Sequence, residues 1–280
     1  MTDSQYSDAK APMPVRPPPE VPTPRRLDES SVVIAGGTAG VGLAAALQFA
    51  AAGVPRIALL GRNEERGAAA AQKVAAKIAS IQVEFFTCDA TKFEEAERVI
   101  SLIRERFGRI DVLVNSTTTG YTPDLLHRTP ATDLAPLLTQ VALAPMYMTR
   151  AVLPFMREQR SGVILNMASD AAKVPTPGET VIGAAMAAIV MFSRTLALEA
   201  KRDGIRVNVL TPSLIAGTAT AERVQKEGFS AKLFAAAATL AHLGIAEPDD
   251  LAALIVFLAS PQARRITGQV ISVNGGSTML

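Results

Sequence analysis

The chain has 280 residues, 49% hydrophobic and 19% charged, enough to bury the core of one large α/β domain. Its 28 basic against 26 acidic residues leave a net charge of +2, which gives no reason to expect nucleic acid or an acidic membrane as partner. A single cysteine, Cys88, excludes an intramolecular disulfide and fits a reducing cytoplasm. The two histidines, His127 and His242, stand far apart with no cysteine near either, so no zinc-type cluster is expected.

Residues 1–28 carry Pro12, Pro14, Pro17, Pro18, Pro19, Pro22 and Pro24 among Arg16, Arg25 and Arg26. This composition predicts a flexible, extended leader and not a secretory signal, which needs an apolar stretch after a basic start. One domain is then expected over residues 29–280. From residue 31, short apolar runs alternate with longer helical patterns. Strands are expected at Ser31–Ala35, Arg56–Leu60, Ile81–Thr87, Ile110–Asn115, Gly162–Ala168, Ile205–Thr211 and Gln269–Val273. Helices are expected at Glu64–Ser80 and Phe93–Phe107, with Gly53, Gly108 and Gly204 punctuating helix ends. The alternation argues for a doubly wound parallel sheet, Rossmann-like, with helices on both faces. The longest apolar run, Val181 to Phe192, falls short of the roughly 20 residues that span a bilayer. It reads as a helix buried on most of its faces.

Strand one runs into Ala35-Gly36-Gly37-Thr38-Ala39-Gly40-Val41-Gly42 and then into a helical pattern. Gly36 lets the chain turn sharply off the strand. Gly40 lets the backbone approach a pyrophosphate, and Gly42 lets helix and strand pack tightly. The helix N-terminus then offers free N–H groups and a partial positive charge to phosphates.

This turn resembles that of the short-chain dehydrogenase/reductase family, and further matches follow in order. Asp89 resembles the family's adenine-contacting Asp, and Asp111 to Asn115 its fourth strand. Gly162 to Ser169 resembles the fifth strand with the catalytic Ser, and Gly204 to Asn208 the sixth strand. Phe257 to Ser260 and Ile266 to Gly276 resemble the last helix and strand. The resemblance covers residues 31–277 and implies a seven-stranded sheet in the order 3-2-1-4-5-6-7. It implies cofactor contacts at Gly36, Thr38, Gly40, Val41, Gly42, Asp89 and Asn115. NAD-specific proteins usually place an acidic residue at the end of strand two. This chain has Gly61 and then Arg62, a guanidinium placed to pair with a 2′-phosphate, so NADP is favoured over NAD. Ala39 occupies the place in the turn where many NADP users carry a second basic residue.

The family's reaction uses a Tyr as acid, a Lys four residues later that lowers the Tyr pKa, a Ser and an Asn. Counting from the flanking matches, Ser169 is present, but the Tyr position holds Ile182, the Lys position Met186 and the Asn position Val141. Neither Ile nor Met can donate a proton or carry a charge. Thr118 and Ser213 stand where the family has glycine and are expected to crowd the cofactor. Tyr121, Asp170 and Lys173 are the candidates for a relocated acid, whereas Tyr147 reads as packing and His127 as a surface loop residue. The resemblance thus implies a degenerate, non-catalytic subunit. Such a subunit would form a dimer or tetramer with itself, or pair with an active homologue, through the helices expected at Thr132–Glu158 and Glu179–Arg202. The alternative is an NADP-dependent carbonyl or 3-oxoacyl-type reductase, or alcohol dehydrogenase, using a relocated acid. The covering loop Ser213–Gly244 is rich in Ala, Leu and Phe and suggests a small apolar ligand.

Overall fold

In a computed structural model of the chain, residues 25–78, 80–226 and 228–279 are described. The Pro-rich leader therefore lies outside the described residues as far as residue 24. The elements alternate as β1 (Ser31–Ala35), α1 (Gly40–Ala51), β2 (Arg56–Gly61), α2 (Glu64–Ala75), β3 (Gln82–Thr87), α3 (Phe93–Phe107) and β4 (Val112–Asn115). They continue as α4 (Ala131–Leu138), α5 (Ala144–Gln159), β5 (Gly162–Met167), α6 (Thr180–Ala200), β6 (Ile205–Pro212), α7 (Ala219–Val224), α8 (Gly228–Leu240), α9 (Pro248–Ala259) and β7 (Val270–Val273).

The seven strands form one sheet in the order β3-β2-β1-β4-β5-β6-β7, parallel at every pair. β1, β4 and β6 are buried along their whole length, which is why they read as near-continuous β-branched runs. One face of the sheet packs on α1, α2 and α9 around the fully buried Phe49. The opposite face packs on α3, α5 and α6 around Ile100, Ile103, Met148 and Met156. Tyr147 stacks edge-on against Phe93 with ring centroids 5.7 Å apart, a packing role as the sequence suggested, and His127 is exposed on its loop.

Four expectations are corrected. The second helix ends at Ala75 and not near Ser80. The chain must turn back to the sheet edge, where the Gln82 amide donates to the Pro55 carbonyl at 2.8 Å to start β3. The helix expected over Thr132–Glu158 is broken into α4, a π-helical turn at Thr139–Leu143, and α5. Pro145 is the physical reason. It has no N–H for the Val141 carbonyl that an α-helix would give it, and its ring would clash there. The segment Ser213–Gly244 is not a loop throughout, since it folds into α7 and α8. Thr218 caps the first of these by accepting from the Ala221 amide at 3.1 Å.

The fourth correction concerns α6. Val181, Ala185, Ile189 and Val190 are buried, while Ala184, Ala187, Ala188, Met191 and Leu198 line a face open to solvent. Met191 is 61% exposed and Leu198 65%. The helix is therefore buried on one face, not on most. With the 3₁₀ turn that follows, it spans 24 residues, long and apolar enough to cross a bilayer by length and composition. Its buried face is committed to the sheet instead. The Asn166 amide on β5 donates to Ser193 Oγ at 2.8 Å, and Ser193 donates in turn to the Ile189 carbonyl at 2.7 Å.

Candidate functional site

The glycine turn sits at the C-terminal end of β1. A Cβ on Gly36 would lie 2.4 Å from the Ser116 carbonyl oxygen, and Gly36 has φ +81°. A Cβ on Gly42 would lie 2.3 Å from the Gly36 carbonyl oxygen. Only glycine fits at either place. Gly40 begins α1, and the preceding Ala39 gives the helix no side-chain cap and its first turn no acidic residue. The first amides of α1 are left for an anion, which is what a dinucleotide pyrophosphate requires. Val41 directs its side chain into the core, so only its backbone faces this turn.

The adenosine end lies between β2 and β3. Arg62 is exposed beyond Gly61, and no carboxylate takes its place. Arg66, in the first turn of α2, donates through Nε to Thr38 Oγ1 at 3.1 Å. The sequence reading missed Arg66. Asn63 caps α2 by accepting from the Arg66 amide at 2.7 Å, and this cap is the local signal that fixes the helix start beside the glycine turn. Asp89 accepts from the Thr91 amide at 3.1 Å and the Thr91 hydroxyl at 2.7 Å. Burial pushes its carboxyl up, but the Thr91 hydrogen bonds, with Arg62 and Lys92, outweigh that and hold it below its ordinary value. Asn115 is turned inward. Its amide donates to Asn166 Oδ1 at 2.8 Å and Thr149 Oγ1 at 3.3 Å, while its own Oδ1 has no protein partner. It ties β4 to β5 and α5 and leaves one buried acceptor unused.

The other end of the cleft is apolar. Val141, Ile182 and Met186 pack in one cluster with Ala168, Val181 and Ala185, and Tyr121 lies against the same cluster. Ser169 follows β5 and accepts from the Ala171 amide at 3.2 Å, capping a short 3₁₀ turn. Asp170 and Lys173 turn away toward β7. Asp170 accepts from Ser272 Oγ at 3.1 Å, Asn274 Nδ2 at 2.6 Å and Thr278 Oγ1 at 2.9 Å. Lys173 donates to Ser272 and sits 3.5 Å from the Asp170 carboxylate. The covering segment closes on the cleft from the remaining side. Thr118 meets Thr220 of α7 at 3.3 Å, and Arg223 donates to the Thr119 carbonyl at 2.9 Å. Thr118 is thus drawn toward α7.

Glu179 precedes α6. Burial pushes its carboxyl up, a Thr176 hydrogen bond opposes this, and the Asp170 carboxylate adds to it.

The family profile described as enoyl-(acyl carrier protein) reductase matches residues 35–278. An uncharacterized oxidoreductase of Mycobacterium bovis is 35% identical over 251 residues, 89% of this chain and 97% of that protein. The 3-oxoacyl-[acyl-carrier-protein] reductase FabG of Chlamydia muridarum is 33% identical over 252 residues, 89% of this chain and 98% of that protein. Among solved structures, NAD+-bound xylitol dehydrogenase superposes with a TM-score of 0.83 at 25% identity, over 90% of this chain and 100% of that one. YwfH, an NADPH-dependent reductase of bacilysin biosynthesis, does so with a TM-score of 0.80 at 25% identity, over 90% of this chain and 99% of that one.

The Glu179 carboxyl yields a pH prediction. Its folded-state pKa is raised, so its contribution to stability is present below the ordinary Glu range and is lost as pH rises through the folded value. Glu179→Gln removes that dependence. The melting temperature of the variant relative to the parent should therefore rise between about pH 4 and about pH 8. Thermal denaturation across that range checks this, and a difference that is flat or falls contradicts it.

Proposed function

Since the chain belongs to the short-chain dehydrogenase/reductase family, whose members bind a nicotinamide dinucleotide, we propose that it is an NADP(H)-binding member with a non-catalytic centre. It would act as a structural or regulatory subunit in the cytoplasm, pairing with itself or with an active homologue. One observation carries this reading. The positions that the family resemblance gives to the catalytic Tyr, Lys and Asn are Ile182, Met186 and Val141, and these three side chains pack together in an apolar cluster. None of these three side chains can donate a proton or carry a charge, and Tyr121 is the one ionisable group packed against them among the described residues. Ser169 alone is too weak an acid to act without a partner.

The residues present fit a dinucleotide. The amides at the start of α1 would hold the pyrophosphate, Asp89 would face the adenine, and Arg62 with Arg66 would flank a 2′-phosphate. The nicotinamide supplies hydride chemistry when bound. The relatives at hand use both cofactors, one solved with NAD+ and one named as NADPH-dependent, so the two arginines decide the reading. Replacing both, Arg62→Ala with Arg66→Ala, should weaken NADP binding at least about tenfold and leave NAD binding little changed. Calorimetric titration with each cofactor reads this. Tighter binding of NAD than NADP by the parent would defeat the assignment.

A second reading has one observation in its favour. Tyr121 lies against the apolar cluster, where a relocated acid would need to be. Asp170 and Lys173 are less suited, because their side chains are engaged with each other and with β7. On this reading the chain is an oxidoreductase for a small apolar ketone or alcohol. The two readings separate on activity. The parent chain should show negligible turnover on a panel of ketones with NADPH. Ile182→Tyr with Met186→Lys should raise it by about 10²–10⁴-fold, the typical worth of a general acid. Turnover in the parent that is abolished by Tyr121→Phe selects the second reading instead.

The exposed apolar face of α6 is the proposed contact with another subunit. Met191 and Leu198 stand on it largely open to solvent in the single chain. Sedimentation should give a dimer or larger species at micromolar concentration, and Met191→Glu with Leu198→Glu should shift it to monomer. A parent that sediments as a monomer, alone and with a copurifying homologue, removes the proposal.

A further inference from the structure

A second cavity opens at the opposite end of the sheet from the glycine turn. It lies where β1, β4, β5 and β6 begin, between Ser30, Asp111, Gly162 and Ile205, and has a volume of about 170 Å³. Ligands of doubly wound folds gather at the carboxyl ends of the strands, so the dinucleotide does not account for it. Its wall carries Arg25, Lys201, Arg206, Arg264 and Arg265 against one carboxylate, Asp111. In a chain whose charges nearly cancel, this is a strong local excess of positive charge.

The single carboxylate is already engaged. Both Asp111 oxygens accept from Arg109 Nε, at 2.9 and 2.8 Å, and Oδ2 also accepts from the Ser31 amide at 2.9 Å. Arg25 approaches Asp111 only to 3.9 Å and shares itself with Glu29 at 3.7 Å. The side chains of Lys201, Arg264 and Arg265 form no ion pair or hydrogen bond among the described residues.

Arg206 is the central observation. It is only 9% exposed, yet no carboxylate faces it. Its guanidinium reaches three backbone carbonyls, Ile266 at 3.3 Å and Ala259 and Ser260 at 3.4 Å, all longer than good hydrogen bonds. Burial without a counterion pulls its pKa down to about 10. The carbonyls of Ala259 and Ser260 end α9, so part of its role is to cap that helix. Capping one helix needs one cation. It does not account for four more around a cavity.

We propose that this cavity is a binding site for a multivalent oxyanion, the phosphate group of a small phosphorylated ligand, held by Arg206 at its base and by Lys201, Arg264 and Arg265 at its rim. A doubly charged oxyanion would relieve the repulsion among these cations and supply Arg206 with a counter-ion. The strands that form the cavity floor run directly to Asn115, Ser169 and Pro212 at the cofactor end, so occupancy here would be felt as stabilisation of the whole sheet.

Inorganic phosphate and pyrophosphate, titrated by calorimetry at constant ionic strength with chloride as control, test this. The full chain is used, in the parent and in two variants. Arg62→Ala with Arg66→Ala alters the adenosine end, and Arg264→Ala with Arg265→Ala alters the cavity rim. All four residues are exposed, so neither variant threatens the fold. Pyrophosphate should bind the parent saturably and raise its melting temperature. The rim variant should weaken that binding at least about tenfold, and the adenosine-end variant should retain it. Absence of saturable binding in the parent overturns the proposal. So does binding that persists undiminished in the rim variant, whatever the adenosine-end variant does, because the anion would then have occupied the dinucleotide site.

Discussion

The carbonyl of Gly36 and the α-carbon of Gly42 meet so closely that no side chain fits between them. This contact presses the first turn of α1 onto the end of β1. Because α1 is held there, its uncapped amides face the open end of the sheet, and α9 packs against its outer side around Phe49. The buried strands next to β1 then take their places in the parallel order. A methyl group on Gly42 would push the helix away from the strand, and one on Gly36 would press against the Ser116 carbonyl after β4. The anion-binding geometry and the packing of one whole face of the sheet would be lost together. The same two glycines therefore fix both the strand–helix packing and the shape of the turn, and neither can be altered alone.

At the far end of the cleft the positions that the family resemblance gives to a tyrosine and a lysine hold Ile182 and Met186. A tyrosine and a lysine facing a cleft must be kept solvated or paired, and an amine buried without a partner is costly. Ile182, Met186 and Val141 carry no such cost, and they join Ala168, Val181 and Ala185 in a continuous cluster. Replacing buried polar pairs with apolar side chains of similar size is often neutral or stabilising by roughly 1–4 kcal/mol. The π-helical turn at Thr139–Leu143 lies beside the cluster and leads into Pro145 at the start of α5.

Much of this was legible in the sequence. β1 was read residue for residue, and the other strands to within two residues at each end, because buried parallel strands are short and β-branched and the turns between them carry glycine. The glycine turn was legible for the same local reason. Other features were not. The apolar run in α6 contains so many alanines that no periodicity marks which side is buried, so its exposed face went unseen. α7 and α8 were hidden because their alanine-rich stretch has no clear stripe. The pairing of Arg66 with Thr38 joins residues 28 apart, and nothing local in either segment announces it. Asp170 read as a candidate for a relocated acid because the partners on and after β7 that engage it are more than a hundred positions away.

That last separation bears on how the molecule comes into being. Ser272, Asn274 and Thr278 lie 102, 104 and 108 residues after Asp170, and they are what hold the turn that presents Ser169. On the ribosome, β5 and the glycine turn can form while those residues have yet to be translated. The turn behind Ser169 has its local hydrogen bonds from the start but gains these three only after they have emerged. The face of α1 that packs on α9 likewise waits for residues 248–259. A nascent chain stalled before residue 272 would therefore carry Asp170 without the partners that anchor it in the finished fold.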